Sequence, residues 1–236
     1  GAMKRLELSP RLRMVASLIP AGARLADVGT DHAYLPVALI LEGKIPWAVA
    51  ADLRRGPLDR ARATVRQYGL TGRTVFRLCN GLTGIRPDEV DAVAIAGMGG
   101  ETIAAILSAA PWTRERDVPL ILQPMSSMPD LRGWLQAGGY KIVEERLARE
   151  GDTLYTAFMV RAGEMGPLAP AELWAGKNSP APLRGEWLDR WMARIRRAAE
   201  GVAQSKGEEA MARSRELEAV LDGLMDMKKE WEQWQT

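Results

Sequence analysis

Two aspartate side chains occupy positions in the sequence that suit the binding of a small nucleoside ligand. Asp27 and Gly29 belong to the segment Asp27-Val-Gly-Thr-Asp-His-Ala-Tyr34, in which only Gly29 lets the backbone approach a ligand closely. The Asp27 carboxylate can orient this loop or accept hydrogen bonds from an ammonium group. Asp52, 23 residues after Gly29, is placed to accept hydrogen bonds from both hydroxyls of a ribose. A second interpretation stays open, because Asp52 can instead cap the helix that begins near Pro57.

Two glycine-containing segments add backbone groups to this chemistry. Asn80-Gly81 can meet the edge of an adenine, but Asn-Gly is also a turn signal, and both interpretations stay open. Gly97-Met-Gly-Gly100 has three glycines in four positions, which indicates a backbone that passes close to a bound group. The loop after Asp27 lacks the Gly-x-Gly-x-x-Gly arrangement that places a pyrophosphate against a helix N-terminus. A nucleoside cofactor without phosphates therefore fits better than a dinucleotide.

Histidine and cysteine are too scarce for a metal centre. His32 is the only histidine and Cys79 the only cysteine of the chain. A zinc site would have to rest on carboxylates, so we expect no metal. We expect His32 to be a polar loop residue or a cofactor contact. Cys79 cannot form an internal disulfide, which agrees with a reducing compartment, and we interpret it as a packed small residue.

The elements that must position these residues alternate between strand and helix. We predict strands at 24–29, 47–51, 74–78, 90–96 and 120–122, and helices at 12–19, 34–42, 57–68, 101–108 and 131–137. Such alternation requires a parallel sheet with right-handed crossovers. The candidate residues then follow the carboxyl ends of neighbouring strands, where doubly wound α/β sheets bind their ligands.

Two further alternating runs, at 140–147 and 153–160, are joined across Arg149-Glu-Gly-Asp152 and predict a β-hairpin. The hairpin inserts one antiparallel strand beside the parallel sheet. This ending is typical of class I methyltransferases, whereas nicotinamide-binding Rossmann domains usually lack it. We therefore predict an α/β fold of the class I methyltransferase type.

The C-terminal part of the chain has a different pattern. The stretch 163–182 carries four prolines and predicts a linker or irregular connection. Two helical segments follow, with Gly207 near the turn between them, and their apolar residues repeat at intervals of three and four. We predict three parts: a catalytic domain at 4–162, a proline-rich connection at 163–183, and an antiparallel helical coiled coil at 184–236. The apolar repeat comprises Leu188, Trp191, Ile195, Ala198 and Val202, then Leu217, Val220, Leu224, Met227, Trp231 and Trp234.

Composition and charge set broad limits on function. The chain has 236 residues, 47% hydrophobic and 26% charged, which is typical of globular proteins. Residues 1–162 hold 21 Lys and Arg against 17 Asp and Glu, and the remainder 11 against 13, so the basic excess lies on the first part. No apolar run approaches the roughly 20 residues that span a bilayer, so we expect a cytoplasmic protein. Arg190, Arg194 and Arg197 share a helix face, which is either a solvated surface or a phosphate contact.

Taken together, several segments resemble the bacterial tRNA adenine-N1 methyltransferases that modify the adenine at position 22, the TrmK family. The resemblance runs in order over about residues 5–162, and the C-terminal extension resembles that family's coiled-coil domain in type only. The segments that carry it are Asp27-Val-Gly-Thr-Asp-His-Ala-Tyr-Leu-Pro36, Asp52-Leu-Arg-Arg-Gly-Pro-Leu-Asp-Arg-Ala61, Asn80-Gly-Leu82, Ile95-Ala-Gly-Met-Gly-Gly100 and Leu122-Gln-Pro124.

The resemblance implies methyl transfer from S-adenosyl-L-methionine to N1 of an adenine in tRNA, by a protein that we expect to be monomeric. Handling of the target base would fall to Met98, Gln123 and Pro124. The resemblance carries over no tRNA contact in the C-terminal part residue by residue. We hypothesise separately that the basic face of the first part and the set Arg190, Arg194 and Arg197 bind RNA phosphates. The implied cofactor contacts are Asp27, Gly29, Asp31, His32, Asp52, Asn80, Gly81, Ala96 and Gly97.

Three alternatives remain at the level of sequence. A small-molecule methyltransferase would use the same cofactor loops and treat the helical hairpin as a lid or dimer contact. A non-catalytic RNA-binding protein could retain the cofactor fold without turnover. A nicotinamide-dependent oxidoreductase is disfavoured, because the phosphate-binding glycine loop is missing.

Overall fold

The structure is a computed structural model that describes residues 5–236. The chain forms two compact units. The first comprises residues up to 127 together with 134–165, and the second comprises 128–133 together with 166–236. The sequence placed the first boundary at residue 162 and gave no sign that 128–133 groups with the C-terminal part.

The first unit contains one mixed sheet in the order β3-β2-β1-β4-β5-β7-β6. Strands β1 to β5 pair in parallel, and β7 runs antiparallel to β5 and β6. The predicted doubly wound sheet with a terminal hairpin is therefore confirmed. Its strands are β1 (Leu25–Val28), β2 (Ala48–Asp52), β3 (Thr74–Leu78), β4 (Ala92–Gly99), β5 (Leu120–Ser126), β6 (Tyr140–Glu150) and β7 (Thr153–Ala162).

Burial explains why the central strands form where they do. All four residues of β1 are buried, as are the first four of β2 and β4. A parallel strand that is covered on both faces is apolar at every position rather than at alternate ones. These runs of small and branched residues are the apolar segments that predict strands in the sequence.

Helices connect these strands. They are α1 (Pro10–Leu18), α2 (Tyr34–Leu41), α3 (Arg55–Gln67), α4 (Gly100–Ser108), α5 (Trp112–Glu115) and α6 (Met128–Ala137). Helix α1 begins two residues before the predicted start, because Pro10 occupies its first turn and the Ser9 hydroxyl accepts a hydrogen bond from the Leu12 N–H at 3.3 Å.

Strand β4 is longer than predicted. The glycine-rich segment after Ala96 was expected to be a loop, but Met98 pairs with Pro124 and Gly99 with Ser126 in β5. The register is irregular at these positions, and Gly97 has a φ of +78°. This left-handed residue lets the strand bend and still continue its pairing with β5.

The second unit contains α7 (Pro170–Ala175), α8 (Arg184–Ala203) and α9 (Glu208–Trp234). The expectation of an irregular connection at 163–183 was wrong for α7, which uses Pro170 as its first residue. The α8 and α9 helices run antiparallel, because the Trp231 ring packs on Gly185 and Lys228 forms an ion pair with Asp189 at 2.6 Å. None of the helices described is both long and apolar enough to span a membrane.

The buried interface between α8 and α9, here called the seam, is shorter than the apolar repeat predicts. Its core residues are buried, whereas Ala198 is exposed and Trp234 is 47% exposed. The helices therefore pack closely over part of their length, and two predicted positions of the apolar repeat, Ala198 and Trp234, face solvent. The buried seam residues are Leu188, Trp191, Ile195, Leu217, Val220 and Leu224.

Two buried arginines cap the short α7 helix. Arg132, which is fully buried, donates from Nη1 to the carbonyls of Leu173 and Trp174. Arg184, 3% exposed, donates to the carbonyls of Ala175 and Gly176. The last carbonyls of a helix have no partner within the helix, and they carry the negative end of its dipole. The guanidinium groups satisfy these carbonyls inside the core of the second unit.

Arg184→Met is expected to lower the free energy of unfolding by about 3 kcal/mol, because it leaves buried carbonyl groups without a charged donor. Urea denaturation followed by tryptophan fluorescence measures the change. Arg197→Met, which removes an exposed arginine from the same helix, is the matched control and should change the stability little. Equal effects of the two substitutions would contradict the capping role of Arg184.

Candidate functional site

A cleft of about 430 Å³ opens at the carboxyl ends of β1 and β4. Three parts of the first unit form it: the residues at the start of α1, the loop between β1 and α2, and the end of β4. The lining residues are Glu7, Leu8, Ser9, Arg11, Leu12, Asp27, Gly29, Thr30, Asp31, His32, Tyr34, Leu35 and Ala96.

The cleft contains five of the nine predicted cofactor contacts: Asp27, Gly29, Asp31, His32 and Ala96. Gly97 directly follows Ala96 in β4. Asp52 ends β2, and Asn80 and Gly81 follow β3. Since β3, β2, β1 and β4 are successive neighbours in the sheet, all nine residues lie along one edge.

Asp27 is a buried carboxylate at the base of the cleft. It is only 4% exposed, and its Oδ2 accepts a hydrogen bond from the Thr30 hydroxyl at 2.7 Å. Burial raises the pKa of Asp27 to about 6; the Thr30 hydrogen bond opposes this shift and the charge of Asp52 adds to it. The site therefore holds a carboxylate that is costly to ionise until a positive group approaches it.

The backbone at Gly29 and Gly97 passes close to neighbouring side chains. Both residues have left-handed conformations, with φ of +74° and +78°. A Cβ atom on Gly29 would overlap the Cε of Met98, and one on Gly97 would lie 3.3 Å from Nη1 of Arg11. Both the backbone conformation and the available space thus favour glycine at these two positions.

The loop residues Asp31 and His32 lie at the mouth of the cleft. Asp31 Oδ1 accepts hydrogen bonds from Nε and Nη2 of Arg60, at 3.2 and 2.9 Å. The His32 ring stacks on Tyr34 with 4.8 Å between ring centroids and a 4° angle between planes. Stacking and ion pairing hold both side chains in place while they remain partly exposed.

Asp52 does not cap the following helix. Its Oδ1 accepts a hydrogen bond from the N–H of Arg54 at 3.0 Å, whereas α3 begins at Arg55 and its N-cap residue is Arg54. Asp52 therefore shapes the turn that follows β2. Its side chain is half-buried at the carboxyl edge of the sheet, which leaves it accessible to a ligand.

Asn80 and Gly81 form a turn after β3. The N–H of Thr83 donates to the carbonyl of Asn80 at 3.1 Å, and Gly81 has a φ of +58°. Ile106 packs against Gly81, so that a Cβ atom there would lie 3.0 Å from it. The Asn80 side chain is exposed. The turn interpretation of this pair is therefore correct, and the asparagine amide is available at the same edge.

Gln123 is fully buried and links two parts of the site. Its Oε1 accepts hydrogen bonds from the N–H of Gly97 at 3.1 Å and from Nη1 of Arg11 at 2.8 Å. Its Nε2 donates to the carbonyl of Pro124 at 3.1 Å. Of the residues predicted to handle a target base, Gln123 and Pro124 are buried and Met98 is half-buried. Gln123 thus contacts the Gly97 backbone rather than open solvent.

Arg11 is a site residue that the sequence analysis missed. Besides donating to Gln123, it anchors α1 through its backbone N–H, which donates to Glu150 Oε1 at 3.2 Å. The only local signal was the helix start Ser9-Pro10, which places Arg11 in the first turn of α1. Nothing in that signal indicates which strand the arginine will meet.

The three arginines predicted to bind RNA lie on α8 in the second unit, and all are exposed. Arg190 forms an ion pair with Glu186 at 2.7 Å, and the Arg194 guanidinium lies 4.7 Å from the centroid of the Trp191 ring. Arg197 follows one turn later. Within residues 5–236, no group of three or more His, Cys, Asp or Glu side chains is arranged to hold a metal ion.

Comparison with known proteins agrees with this geometry. A sequence profile described as a methyltransferase domain matches residues 8–158. The chain is 39% identical over 162 residues to the tRNA (adenine(22)-N(1))-methyltransferase of Bacillus subtilis (strain 168), a match that covers 69% of this chain and 68% of that protein.

Two solved structures are similar over almost the whole chain. The B. subtilis m1A22 tRNA methyltransferase TrmK has a TM-score of 0.83 at 30% identity, covering 95% of this chain and 100% of that one. Streptococcus pneumoniae Sp1610, solved in complex with S-adenosyl-L-methionine, has a TM-score of 0.78 at 34% identity, covering 91% and 100%.

Replacing Asp27 by Asn should stabilise the ligand-free protein at neutral pH. The pKa of Asp27 in the folded protein is raised to about 6. Neutral Asp27 therefore adds to the unfolding free energy of wild type at low pH, and this contribution is lost as the pH rises from about 4 to about 7. The variant keeps a neutral amide throughout. Its advantage in unfolding free energy should grow to the order of 2 kcal/mol over this range, as measured by urea denaturation at several pH values.

Asp117→Asn is the matched control with the opposite sign, because the hydrogen bond from Arg161 lowers the pKa of Asp117. That variant should lose stability relative to wild type at neutral pH, and the loss should shrink as Asp117 becomes protonated in acid. If the stability of Asp27→Asn followed the wild-type curve at a constant offset, the raised pKa would be refuted.

Proposed function

The chain belongs to the tRNA (adenine(22)-N(1))-methyltransferase family, the TrmK family, and we infer that it transfers a methyl group from S-adenosyl-L-methionine to N1 of adenine 22 in tRNA. The observation that carries this function is the cleft lined by Asp27 and Gly29, with Asp52 on the same edge of the sheet. All residues that line the cleft, apart from Glu7, lie within the range that matches the methyltransferase domain.

The residues present fit this cofactor. S-adenosyl-L-methionine supplies a methyl group that is activated by a positively charged sulfur. Asp52 can accept hydrogen bonds from ribose hydroxyls, and Asn80 can meet the adenine edge. Gly29 and Gly97 lie where a Cβ atom would crowd neighbouring side chains, so the backbone itself can face the ligand. Asp27 can accept hydrogen bonds from the ammonium group, a cation that favours its ionised form.

The reaction requires positioning more than proton transfer. The in-plane lone pair of adenine N1 would form a bond to the methyl carbon while the carbon–sulfur bond breaks, with its electron pair passing to the sulfur to leave a neutral thioether. The N1-methyladenine product carries the positive charge until its exocyclic amine loses a proton. Holding the nitrogen in line with the methyl group is then the main task of the chain. We assign that task to the region of Met98 and Pro124, with Gln123 acting through the Gly97 backbone.

The target base must leave its pairing partner first. N1 lies on the pairing edge of adenine, so extrusion of a paired base costs roughly a few kcal/mol. Phosphate contacts can offset this cost, and the exposed Arg194 and Arg197 are candidates for them. We propose that the enzyme acts as a monomer. A tRNA substrate supports a cytoplasmic location.

Incubation with labelled S-adenosyl-L-methionine and bacterial tRNA should yield 1-methyladenosine after nuclease digestion. Asp52→Ala should lower kcat/KM about 10- to 100-fold, because it removes charge-assisted hydrogen bonds to the cofactor. Asp59→Ala, an exposed aspartate of α3, is the matched control and should retain wild-type activity. A transcript with guanine at position 22 should accept no methyl group.

Other outcomes of this assay would favour other functions. Methylation of a small metabolite without methylation of RNA would indicate a small-molecule methyltransferase. Tight cofactor binding without transfer to any RNA would indicate a non-catalytic protein. Methylation of the guanine-22 transcript would contradict the proposed position.

Arg194→Glu together with Arg197→Glu should weaken tRNA binding. Loss of two phosphate contacts should make the slope of log K against log salt shallower by about 1 to 2. Filter binding at several salt concentrations measures both quantities. Arg86→Glu with Arg116→Glu makes the same charge change at the amino ends of β4 and β5, and serves as control. An unchanged slope in the variant with Arg194→Glu and Arg197→Glu would show that these two arginines do not contact RNA phosphates.

A further inference from the structure

A groove of about 510 Å³ lies between α7 and α9 in the second unit. The two helices touch where Ala171 packs on Gly223, a position at which a Cβ atom would overlap the Cβ of Ala171. The groove opens alongside this contact, toward the start of α9, and shares no residue with the cleft of the first unit. Most of its wall is apolar and is formed by Leu168, Pro170, Leu173, Trp174, Ala212 and Ala219.

Trp174 gives this groove an aromatic surface. Its ring is half-buried, so part of the ring remains accessible where it lines the groove. The ring contacts that of Trp191 edge to face, with 5.4 Å between centroids and a 66° angle between planes. Trp191 is only 6% exposed and makes a second edge contact with Trp187. Packing on this buried cluster therefore holds the Trp174 ring in place while part of it stays accessible.

The charged residues that line the groove leave one positive charge without a partner. Arg213 forms an ion pair with Glu216, with 3.2 Å between Nη1 and Oε2. Arg215 is exposed, and within residues 5–236 its guanidinium makes no ion pair or side-chain hydrogen bond. The negative charge of Glu216 is thus compensated, and the rim of the groove attracts an anion.

A further cation lies on the same aromatic cluster. The Arg194 guanidinium lies over the Trp191 ring, 4.7 Å from its centroid. Trp174 and Arg194 both contact Trp191, so Arg194 and the groove are neighbours on the surface of the second unit.

This combination of surfaces matches an unpaired nucleotide. A nucleobase has a flat face that stacks on an aromatic ring, and its phosphates carry the negative charge that an arginine binds. An aliphatic ligand or a peptide helix would fill the apolar wall but would offer no anion to Arg215. Bases within a stem stack on one another, so the base must come from a loop, a bulge or an end of the RNA.

We propose that the groove between α7 and α9 binds an unpaired nucleobase of the tRNA, stacked on Trp174, with Arg215 on a flanking phosphate. The inference rests on the proposed function, because tRNA is the ligand. The adenine that accepts the methyl group must meet the cofactor, whose cleft is lined by other residues. The base in the groove is therefore a second one, and the groove responds to unpaired RNA structure as well as to charge.

The two contacts depend differently on salt, and the test uses this difference. A phosphate contact releases counterions and contributes to the slope of log K against log salt, whereas stacking does not. Trp174→Leu should weaken the binding of a tRNA transcript about 5- to 50-fold and leave the slope unchanged. Arg215→Met should make the slope shallower by about 1. Filter binding at several salt concentrations measures both quantities.

Two matched variants separate stacking from packing. Trp174→Phe keeps an aromatic face and should recover most of the affinity. Trp234→Leu removes a tryptophan that is 47% exposed at the end of α9, outside the groove, and should leave the affinity within about twofold of wild type.

Cofactor binding and turnover show whether the first unit is intact in these variants. Trp174→Leu should bind S-adenosylhomocysteine as tightly as wild type in calorimetry, because the cleft contains no residue of the groove. In the methylation assay it should raise the KM for tRNA and leave kcat within about twofold.

Four results would overturn the proposal. Equal loss of affinity in Trp174→Leu and Trp174→Phe would mean that the ring acts by packing on Trp191. Unchanged tRNA affinity with a loss of self-association in sedimentation would identify a second copy of the chain as the occupant. Unchanged affinity and KM in Trp174→Leu, beside a wild type that methylates tRNA, would refute the groove alone. A wild type that neither binds nor methylates tRNA would refute the proposed function and the groove with it.

Discussion

The amide of Gln123 occupies a point in the sheet where no water can replace a lost hydrogen bond. Its oxygen accepts hydrogen bonds from the N–H of Gly97 and from the guanidinium of Arg11, and its nitrogen donates to the carbonyl of Pro124. An unpaired polar group in such a place costs about 1–3 kcal/mol, so these partners constrain one another. Gly97 keeps its left-handed turn, β4 shifts its register against β5, and α1 stays beside the cleft. The shape of the site follows from this one buried group.

The charges of the cleft are arranged for binding rather than for acid–base work. Asp27 is buried at a cost in the ligand-free protein, as its raised pKa shows, and Arg11, which lines the same cleft, is held by the neutral amide of Gln123. Functional sites often hold charged groups whose stability depends on the ligand that completes them. Methyl transfer to a ring nitrogen needs alignment and little proton transfer, so such a cleft suffices for the chemistry. The chain accordingly uses backbone glycines and carboxylates where other enzymes use histidine or cysteine.

In the second unit, buried side chains stabilise α7, a helix that is too short to be stable alone. The six residues of α7 cannot hold themselves in helical form in water. Arg132 and Arg184 satisfy its terminal carbonyls, and Trp187 donates from Nε1 to Ala175 at 3.0 Å. Since Arg132 belongs to 128–133, this capping also explains why that segment groups with the C-terminal part of the chain.

The sequence by itself determined the alternation of the main strands and helices, the hairpin, and the position of Asp27 and Asp52 near the carboxyl ends of β1 and β2, because period and turn chemistry are local properties. Tertiary structure alone decided which of the polar residues meet. Arg11 joins the site through Gln123, 112 residues away in the chain, and no local pattern carries that contact. For the same reason the prolines of 163–183 concealed α7, and no local pattern around Gln123 indicated that its side chain would be buried. Local patterns specify each segment, but burial and pairing depend on which segments pack together, and that is settled only when the chain folds.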